Sequence, residues 1–275
     1  MALSIQTNVA SLSAQKNLSD SQKSLSTSFN RLSSGLRINS AKDDAAGMAL
    51  SESMRMQIRS YNVTERNAND GISMSQTAEG ALGEVSNVLG RLRELATQGA
   101  NGSISSSDRG YLQTEFTSLQ SEISRILTST KFNGTQLLGT NASALKFQVG
   151  INNTTADRIS LTFGGISLAS MVANTTKVSG SAGNSQSALG VIDSALTKVS
   201  TARARFGAAM NRFDVTTSNI QTARLNLSAA ASRIRDVDIA EETAALSRNQ
   251  VLATAGVSVL AQANASPQLA LGLLR

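Results

Sequence analysis

The chain has 275 residues with 3% aromatic side chains, one Pro, no Cys, no His and a formal net charge of +6. The absence of Cys and His excludes disulfides, thiol catalysis, the commonest zinc ligand and the commonest general base. Lys and Arg are interspersed with Asp and Glu, so no nucleic-acid partner is predicted, and the scarcity of large side chains favours thin helical packing over a spherical core.

Residues 1–33 form the first predicted helix, with a narrow apolar stripe through Leu18, Leu25 and Leu32. Because the first turns carry no charge and few large apolar side chains, an isolated copy should fray. No Sec-type signal peptide is predicted there. Nowhere does the chain reach the roughly 18 consecutive apolar residues of a membrane helix, so membrane insertion is not expected.

Residues 34–44 are predicted to be a linker. Gly35 provides a helix stop, and Asn39, Ser40 and Asp43 offer caps for a new helix. Asp43 and Asp44 could also form a metal pair, but adjacent residues point in different directions, which favours capping.

Residues 45–187 are predicted to contain two antiparallel helices, a β-hairpin and an exposed loop. The helices cover 45–98 and 107–129, joined by a short Gly-rich turn. After these helices the spacing of apolar residues changes from 3.6 to 2. It alternates at Leu145, Phe147 and Val149 and also within 159–163, which predicts the two strands of the hairpin. The loop is expected to continue to residue 187.

Residues 188–235 are predicted to form one long helix whose heptad pattern marks a bundle core. Every seventh residue is apolar, at Ile192, Val199, Phe206, Phe213, Ile220, Leu227 and Ile234. The partner positions of that pattern are Leu189, Leu196, Arg203, Met210, Thr217, Arg224 and Ala231.

Residues 236–275 form the last predicted helix, which is uncharged from Asn249 to Leu274. A helix that is uncharged all round is normally buried, so neighbouring copies are expected to supply its contacts. At its start, Asp238 and Glu242 could share a cation, or repel each other with relief from Arg235. Taken together, these elements predict a mainly α fold, which is a long antiparallel coiled-coil bundle with a small β-hairpin and paired terminal helices.

Several long motifs carry a resemblance to a known family. These are LSSGLRINSAKDDAAGMALSESMRMQIR, ERNANDGISMSQTAEGAL, GRLRELATQGANG, KFNGTQLL, SRIRDVDIAEETAAL and VLAQANASPQLALGLLR. In this order they resemble bacterial flagellin over nearly the whole chain, with the family's variable outer domains missing between about residues 167 and 187.

The resemblance implies a subunit that polymerises into a helical filament for swimming motility. The terminal helices, near Ala2 to Ser33 and Glu241 to Leu274, would line the filament channel, with a polymerisation seam at Leu18, Leu25, Leu32, Val251, Val259 and Leu260. The hairpin face at Leu145, Phe147 and Val149 would lie at contacts along a protofilament.

The resemblance also implies partners and a location. The chain would be secreted through the flagellar type III export apparatus with an export chaperone, added beneath a cap protein, and joined to the hook by a hook-filament junction protein. Arg91, Leu95 and Glu115 match the positions bound by the vertebrate Toll-like receptor for flagellin, although Gly90 stands where strong agonists have Gln. No catalytic residue, cofactor or metal is expected.

Two alternatives remain. A hook-filament junction protein shares the terminal patterns, and a secreted receptor ligand or adhesin is a different class of function. An enzyme is the least favoured class, because the zinc motif of proteolytic flagellins requires His.

Overall fold

The computed structural model describes residues 7–141, 143–172 and 176–273 of the chain. The helices are α1 (Val9–Ser34), α2 (Ala45–Gly99), α3 (Ser106–Ser129), α4 (Ala169–Val172), α5 (Ala182–Arg235) and α6 (Ile239–Leu273), and the strands are β1 (Lys131–Phe132), β2 (Thr135–Gln136), β3 (Ser143–Gln148) and β4 (Arg158–Phe163). This confirms the predicted mainly α fold with long helices and a small hairpin. The predicted helix start near Ala2 and helix end at Leu274 lie outside the described residues.

The chain divides into two compact units. We call Met1–Ile58 with Leu225–Arg275 the terminal unit, and Arg59–Arg224 the core unit. The terminal unit contains α1, the linkers and α6. The core unit contains α3, α4, both hairpins and the greater part of α2 and α5.

The core of the core unit follows a heptad pattern along α5. Ile192, Val199, Phe206, Phe213 and Ile220 are buried, whereas Leu227 and Ile234, which belong to the terminal unit, are half-buried. The second buried column is not the one expected from the sequence. It consists of alanines at 188, 195, 202 and 209, while Leu189 and Leu196 are half-buried and Arg203 is exposed. The small alanine side chains permit close packing of the helices. The sequence prediction favoured the larger apolar residues of the neighbouring column and so missed the alanines.

Close approach is visible where α2 crosses Phe213. A Cβ placed on Gly71 would lie 2.6 Å from the Cζ atom of Phe213, so only Gly leaves room for the ring. Along the same pair of helices, ion pairs join Arg93 to Asp193 at 2.9 Å and Arg224 to Glu65 at 2.7 Å, the first exposed and the second partly buried. The exposed Arg93–Asp193 pair is worth about 0–1 kcal/mol, so it sets register more than stability.

The predicted hairpin is the antiparallel pair β3–β4, in which Leu145 faces Leu161 and Phe147 faces Ile159. Its apolar face packs on α5, with ring centroids 5.3 Å apart for Phe147 and Phe213. Val149 is only 5% exposed. Leu145 and Phe147 are half-buried against the core of their own chain, and the expected contact of this face along a protofilament stays a prediction.

A second, smaller hairpin was missed by the sequence analysis. Strands β1 and β2 pair across Asn133 and Gly134, whose φ angles of 46° and 80° are both positive. Asn-Gly between two short extended segments is the usual signal for such a two-residue turn. The dipeptide was present in the KFNGTQLL motif.

The described residues of 164–172 and 176–181, which we call the strap, do not form the exposed loop that was predicted. Ile166, Leu168, Met171 and Val178 are at most 3% exposed. Gln120 of α3 donates from Nε2 to the Met171 carbonyl at 2.6 Å, and the Gln113 side-chain oxygen accepts from the Val178 amide at 2.7 Å. Two glutamines seven residues apart thus replace the hydrogen bonds of regular secondary structure.

In the terminal unit, α1 and α6 pack as an antiparallel pair. Asn8 caps α1 through the Ser11 amide and also donates from Nδ2 to the Ala263 carbonyl at 2.8 Å. At the other end, Gly35 ends α1 with a φ of 68°, and its carbonyl accepts from the Val237 amide. The two linkers therefore pair with each other, in an isolated bridge between Leu36 and Asp236.

Candidate assembly surface

The surface between α1 and α6 is lined mainly by small residues. Partly or fully buried positions on α1 recur at spacings of three and four: Ser11, Ala14, Leu18, Ser21, Leu25, Ser28 and Leu32. On α6 the corresponding positions are Glu242, Ala245, Asn249, Ala253, Gly256, Leu260 and Ala263. A Cβ on Gly256 would stand 3.3 Å from Leu18 Cδ1, so the two helices approach each other closely at this point.

The same two helices also carry large apolar side chains that are at least half exposed to solvent. Exposed fractions are 68% for Val9, 58% for Leu12, 53% for Phe29, 55% for Ile239, 68% for Val251, 50% for Leu252, 56% for Val257 and 58% for Val259. We call this set the outer face. Single exposed apolar residues are normal, but a series of this kind along two paired helices is typical of an interaction surface.

The predicted polymerisation seam is divided between these two surfaces. Leu18, Leu25, Leu32 and Leu260 are half-buried at the spacing of the α1–α6 contact, whereas Val251 and Val259 belong to the outer face. Leu12, Phe29 and Val257 were not predicted to belong to this surface. Phe29 lies four residues after Leu25 and three before Leu32, within the apolar stripe of the first helix, yet it is 53% exposed.

The acidic residues considered as metal ligands have other partners. Asp44 caps α2 through the Gly47 amide at 2.9 Å, and Asp238 caps α6 through the Ala240 amide at 2.9 Å. Glu242 is nearly buried and lies 3.5 Å from Arg31. Arg235 lies 3.8 Å from Glu52 rather than beside Asp238. In the described part of the chain no three His, Cys, Asp or Glu residues are grouped as a metal site would require.

Asp43 organises the linker that follows α1. One of its oxygens, Oδ2, accepts from the Asn39 amide, the Ser40 amide and the Ser40 hydroxyl, at 3.2, 2.9 and 3.0 Å. The hydrogen bond from the Ser40 amide is the main reason why the pKa of Asp43 lies below its ordinary value. The hydroxyl of Ser40 acts in the same direction, because both donors favour the ionised carboxylate.

The three candidate receptor contacts occupy different environments. Arg91 of α2 donates from Nε to Glu115 of α3 at 2.8 Å and from Nη1 to Glu94 at 2.8 Å, and these bonds raise the pKa of Arg91. Arg91 and Glu115 are about half exposed. Leu95 is 1% exposed and lies in the core, so its side chain offers no surface to a partner and can act only by holding α2 in place.

None of the described helices is apolar enough over a sufficient length to cross a bilayer.

Comparison with family models matches two regions. Residues 5–143 match the bacterial flagellin N-terminal helical region, and residues 189–274 match the bacterial flagellin C-terminal helical region. The unmatched stretch between them contains β4, the strap and the start of α5.

Individual relatives differ in how much of their length is covered. The chain is 53% identical over 152 residues to B-type flagellin of Pseudomonas aeruginosa, covering 55% of this chain but 31% of that protein. It therefore spans less than half the length of that relative. The flagellin of Xenorhabdus nematophila is 42% identical and covered in full, as is this chain.

Two solved structures are similar to the fold. The crystal structure of Bacillus cereus flagellin aligns with a TM-score of 0.50 at 32% identity, covering 60% of this chain and 94% of that one. A flagellar hook-associated protein from Vibrio parahaemolyticus aligns with a TM-score of 0.59 at 16% identity, covering 70% and 100%, a likeness that concerns the fold alone.

Proposed function

The chain belongs to the bacterial flagellin family, and from that membership we propose that it is a structural subunit which assembles with copies of itself into the extracellular flagellar filament. Its role in swimming motility is then mechanical, by self-assembly rather than by catalysis. The assembly would be an open helical polymer, because heterologous contacts that do not close into a ring extend indefinitely.

The outer face is the observation that carries this proposal. Val9, Phe29, Val251 and Val259 are each more than half exposed, on a helix pair whose own contact is made largely of Ser, Ala and Gly. Burying one such side chain is worth about 1.5–3 kcal/mol, so a chain that left all of them in water would give up much of its available apolar burial. Neighbouring copies can cover all of them at once.

Passage through the flagellar type III export apparatus with an export chaperone fits a terminal unit of this kind. A helix pair with a small-residue contact unfolds at low cost and regains order when copies meet. Addition beneath a cap protein and attachment through a hook-filament junction protein complete the set of proposed partners.

A second role as a ligand of the vertebrate Toll-like receptor for flagellin is supported by the exposed pair Arg91 and Glu115. Their bond at 2.8 Å presents both charges in a fixed arrangement between α2 and α3. Exchanging each for Ala should weaken binding of the purified receptor ectodomain, whereas Arg125→Ala, in an exposed pair with Glu122 on the same helix α3, should not. Equal binding by all three variants would remove this role.

A hook-filament junction protein is the alternative within the same class. The match of the chain to full-length flagellin at 42% identity favours the filament subunit over it. Negative-stain imaging of the purified chain after salt-induced polymerisation tests the choice directly. Long tubular filaments are expected, whereas short caps or monomers under all salt conditions would reject the filament role.

A further inference from the structure

A groove of about 660 Å³ lies on the core unit, between α2, α5 and the turn that joins β3 to β4. Every residue that lines it belongs to the core unit. Sites for small molecules in proteins typically have volumes of roughly 300–1,000 Å³. The groove is therefore large enough to hold a small molecule.

The floor of this groove is apolar. Val149, Ile159 and Ile220 line it and are at most 5% exposed, whereas Val215 lines it and is 63% exposed. A ligand that covered Val215 would remove from water an apolar side chain that the chain itself leaves exposed. This favours a ligand with an apolar body, because the transfer of apolar surface out of water is favourable.

Polar side chains line the groove beside this floor. On α5, Arg212, Val215 and Asn219 lie at spacings of three and four residues, which places them on one side of the helix. Asn211 of α5 and Tyr61 of α2 line the groove as well. The side chains of Tyr61, Asn211, Arg212 and Asn219 form no hydrogen bond or ion pair with any described residue. Their polar atoms are therefore available to a ligand.

Three charged residues line the groove, and two of them are held within the β3–β4 turn. Asp157 accepts a hydrogen bond from the Thr154 hydroxyl at 2.5 Å, and Arg158 donates from Nε to the side chain of Gln148 at 3.0 Å. The third, Arg212, is exposed and has no such partner among the described residues. The lining thus carries one positive charge in excess, and the guanidinium group of Arg212 is the one that remains uncommitted.

We propose that this groove binds a small organic carboxylate, with the carboxylate group on Arg212 and the apolar body over Val215 and the floor. A guanidinium group presents parallel N–H donors that match the two oxygens of a carboxylate, and the carboxamides of Asn211 and Asn219 offer further donors. An inorganic anion would leave the floor in water, and a neutral apolar molecule would leave Arg212 without an anion. This binding role goes beyond the filament role and does not depend on assembly.

The test titrates the isotopically labelled full-length monomer with three probes at constant ionic strength: hexanoate, hexanol and inorganic phosphate. NMR chemical shifts of the backbone amides report both the position of binding and the dissociation constant. The variant Arg212→Gln removes the proposed anion partner. Arg205→Gln makes the same change of charge seven residues earlier on α5, at an exposed residue that does not line the groove, and serves as the control. Circular dichroism establishes that both variants are folded.

Hexanoate should give saturable shifts centred on Asn152, Val215 and Asn219, and should bind about tenfold more tightly than hexanol or phosphate, because only hexanoate uses both the cation and the floor. Arg212→Gln should weaken hexanoate binding by about tenfold and leave hexanol binding unchanged. Arg205→Gln should bind both probes as wild type does. Shifts that do not saturate, or equal losses in the two variants, would overturn the site. Binding of phosphate or hexanol as tight as that of hexanoate would overturn the proposed class of ligand.

Discussion

The core unit and the terminal unit use the same helical architecture but complete their burial in different ways. In the core unit, Phe116, Phe163, Phe206 and Phe213 are at most 1% exposed. In the terminal unit, the α1–α6 contact is formed by Ser, Ala and Gly residues with Asn249, Glu242 and four half-buried Leu residues, and the other large apolar side chains are exposed. The difference indicates that one unit satisfies its apolar surface alone, whereas the other depends on neighbours.

The loops of the two units are also held in place in different ways. The strap closes over the core unit with apolar side chains and is held by Gln113 and Gln120. The linkers of the terminal unit are held by backbone pairing and by the carboxylates of Asp43, Asp44 and Asp238. Buried packing makes the first arrangement rigid, whereas exposed hydrogen bonds compete with water and open more readily.

Removing residues 251–275 should have the largest effect, since it deletes most of α6 and half of the outer face. We expect a soluble monomer that forms no filaments, with the core unit still folded and α1 frayed. Sedimentation after salt-induced polymerisation and hydrogen exchange of α1 and α5 measure the two parts. Normal filaments from this deletion would contradict the assigned role of the terminal unit.

Val259→Asp sharpens the contrast at a single position. Because the side chain is 58% exposed, the free energy of unfolding of the monomer should change by no more than about 0.5 kcal/mol. Assembly should be severely impaired, because the new charge would be buried between copies. Ser247→Asp, also exposed on α6, introduces the same charge outside the apolar series and serves as the control. If both variants assembled equally well, Val259 would not lie at an interface.

Two glycine substitutions on α2 examine how tightly the core unit is packed. Gly71→Ala should destabilise the monomer by about 1–3 kcal/mol, because the new methyl group meets the Phe213 ring. Gly80→Ala meets nothing within 4 Å and should stabilise the helix by about 0.5–1 kcal/mol. Denaturant-induced unfolding of the two variants should therefore shift in opposite directions. Shifts of the same sign would mean that the Gly71 contact is looser than the structure indicates.

The smallest expected effect is the pH response of the first linker. The pKa of Asp43 is lower in the folded chain than its ordinary value. The ionised carboxylate therefore stabilises the folded linker fully above about pH 4, and this stabilisation is lost as the pH falls through the folded pKa. Hydrogen exchange of the Ser40 amide should accelerate over that range beyond the intrinsic pH dependence of exchange. Asp43→Asn should abolish the additional response, and an unchanged profile in that variant would assign the response to another group.

The sequence alone predicted the five long helices and the main hairpin because these follow from local periodicity, although the short α4 was not predicted and α5 begins at Ala182 rather than at the predicted residue 188. The helix predicted over 45–98 is observed as Ala45–Gly99, and the helix predicted over 107–129 is observed as Ser106–Ser129. Each prediction is wrong by one residue at one end. The alternation at Leu145, Phe147 and Val149 likewise located β3, and the preference for capping over metal binding at Asp43 and Asp44 is confirmed by the Asp44 cap of α2, whereas the cap formed by Asp238 was not predicted. The second hairpin was predictable from Asn133-Gly134 but was overlooked.

Only the tertiary structure decided which residues pack against each face of a helix. A heptad pattern shows that α5 has an apolar side, but the choice of Ala195 over Leu196 for the core depends on how closely another helix approaches. Nothing local to the strap indicates that Gln113 and Gln120 would hold it, and Leu95 is hidden only because other elements cover it. Backbone periodicity is a property of neighbours along the chain, whereas burial and hydrogen-bond partners depend on residues far apart in sequence, so the first can be derived from the sequence and the second requires the fold.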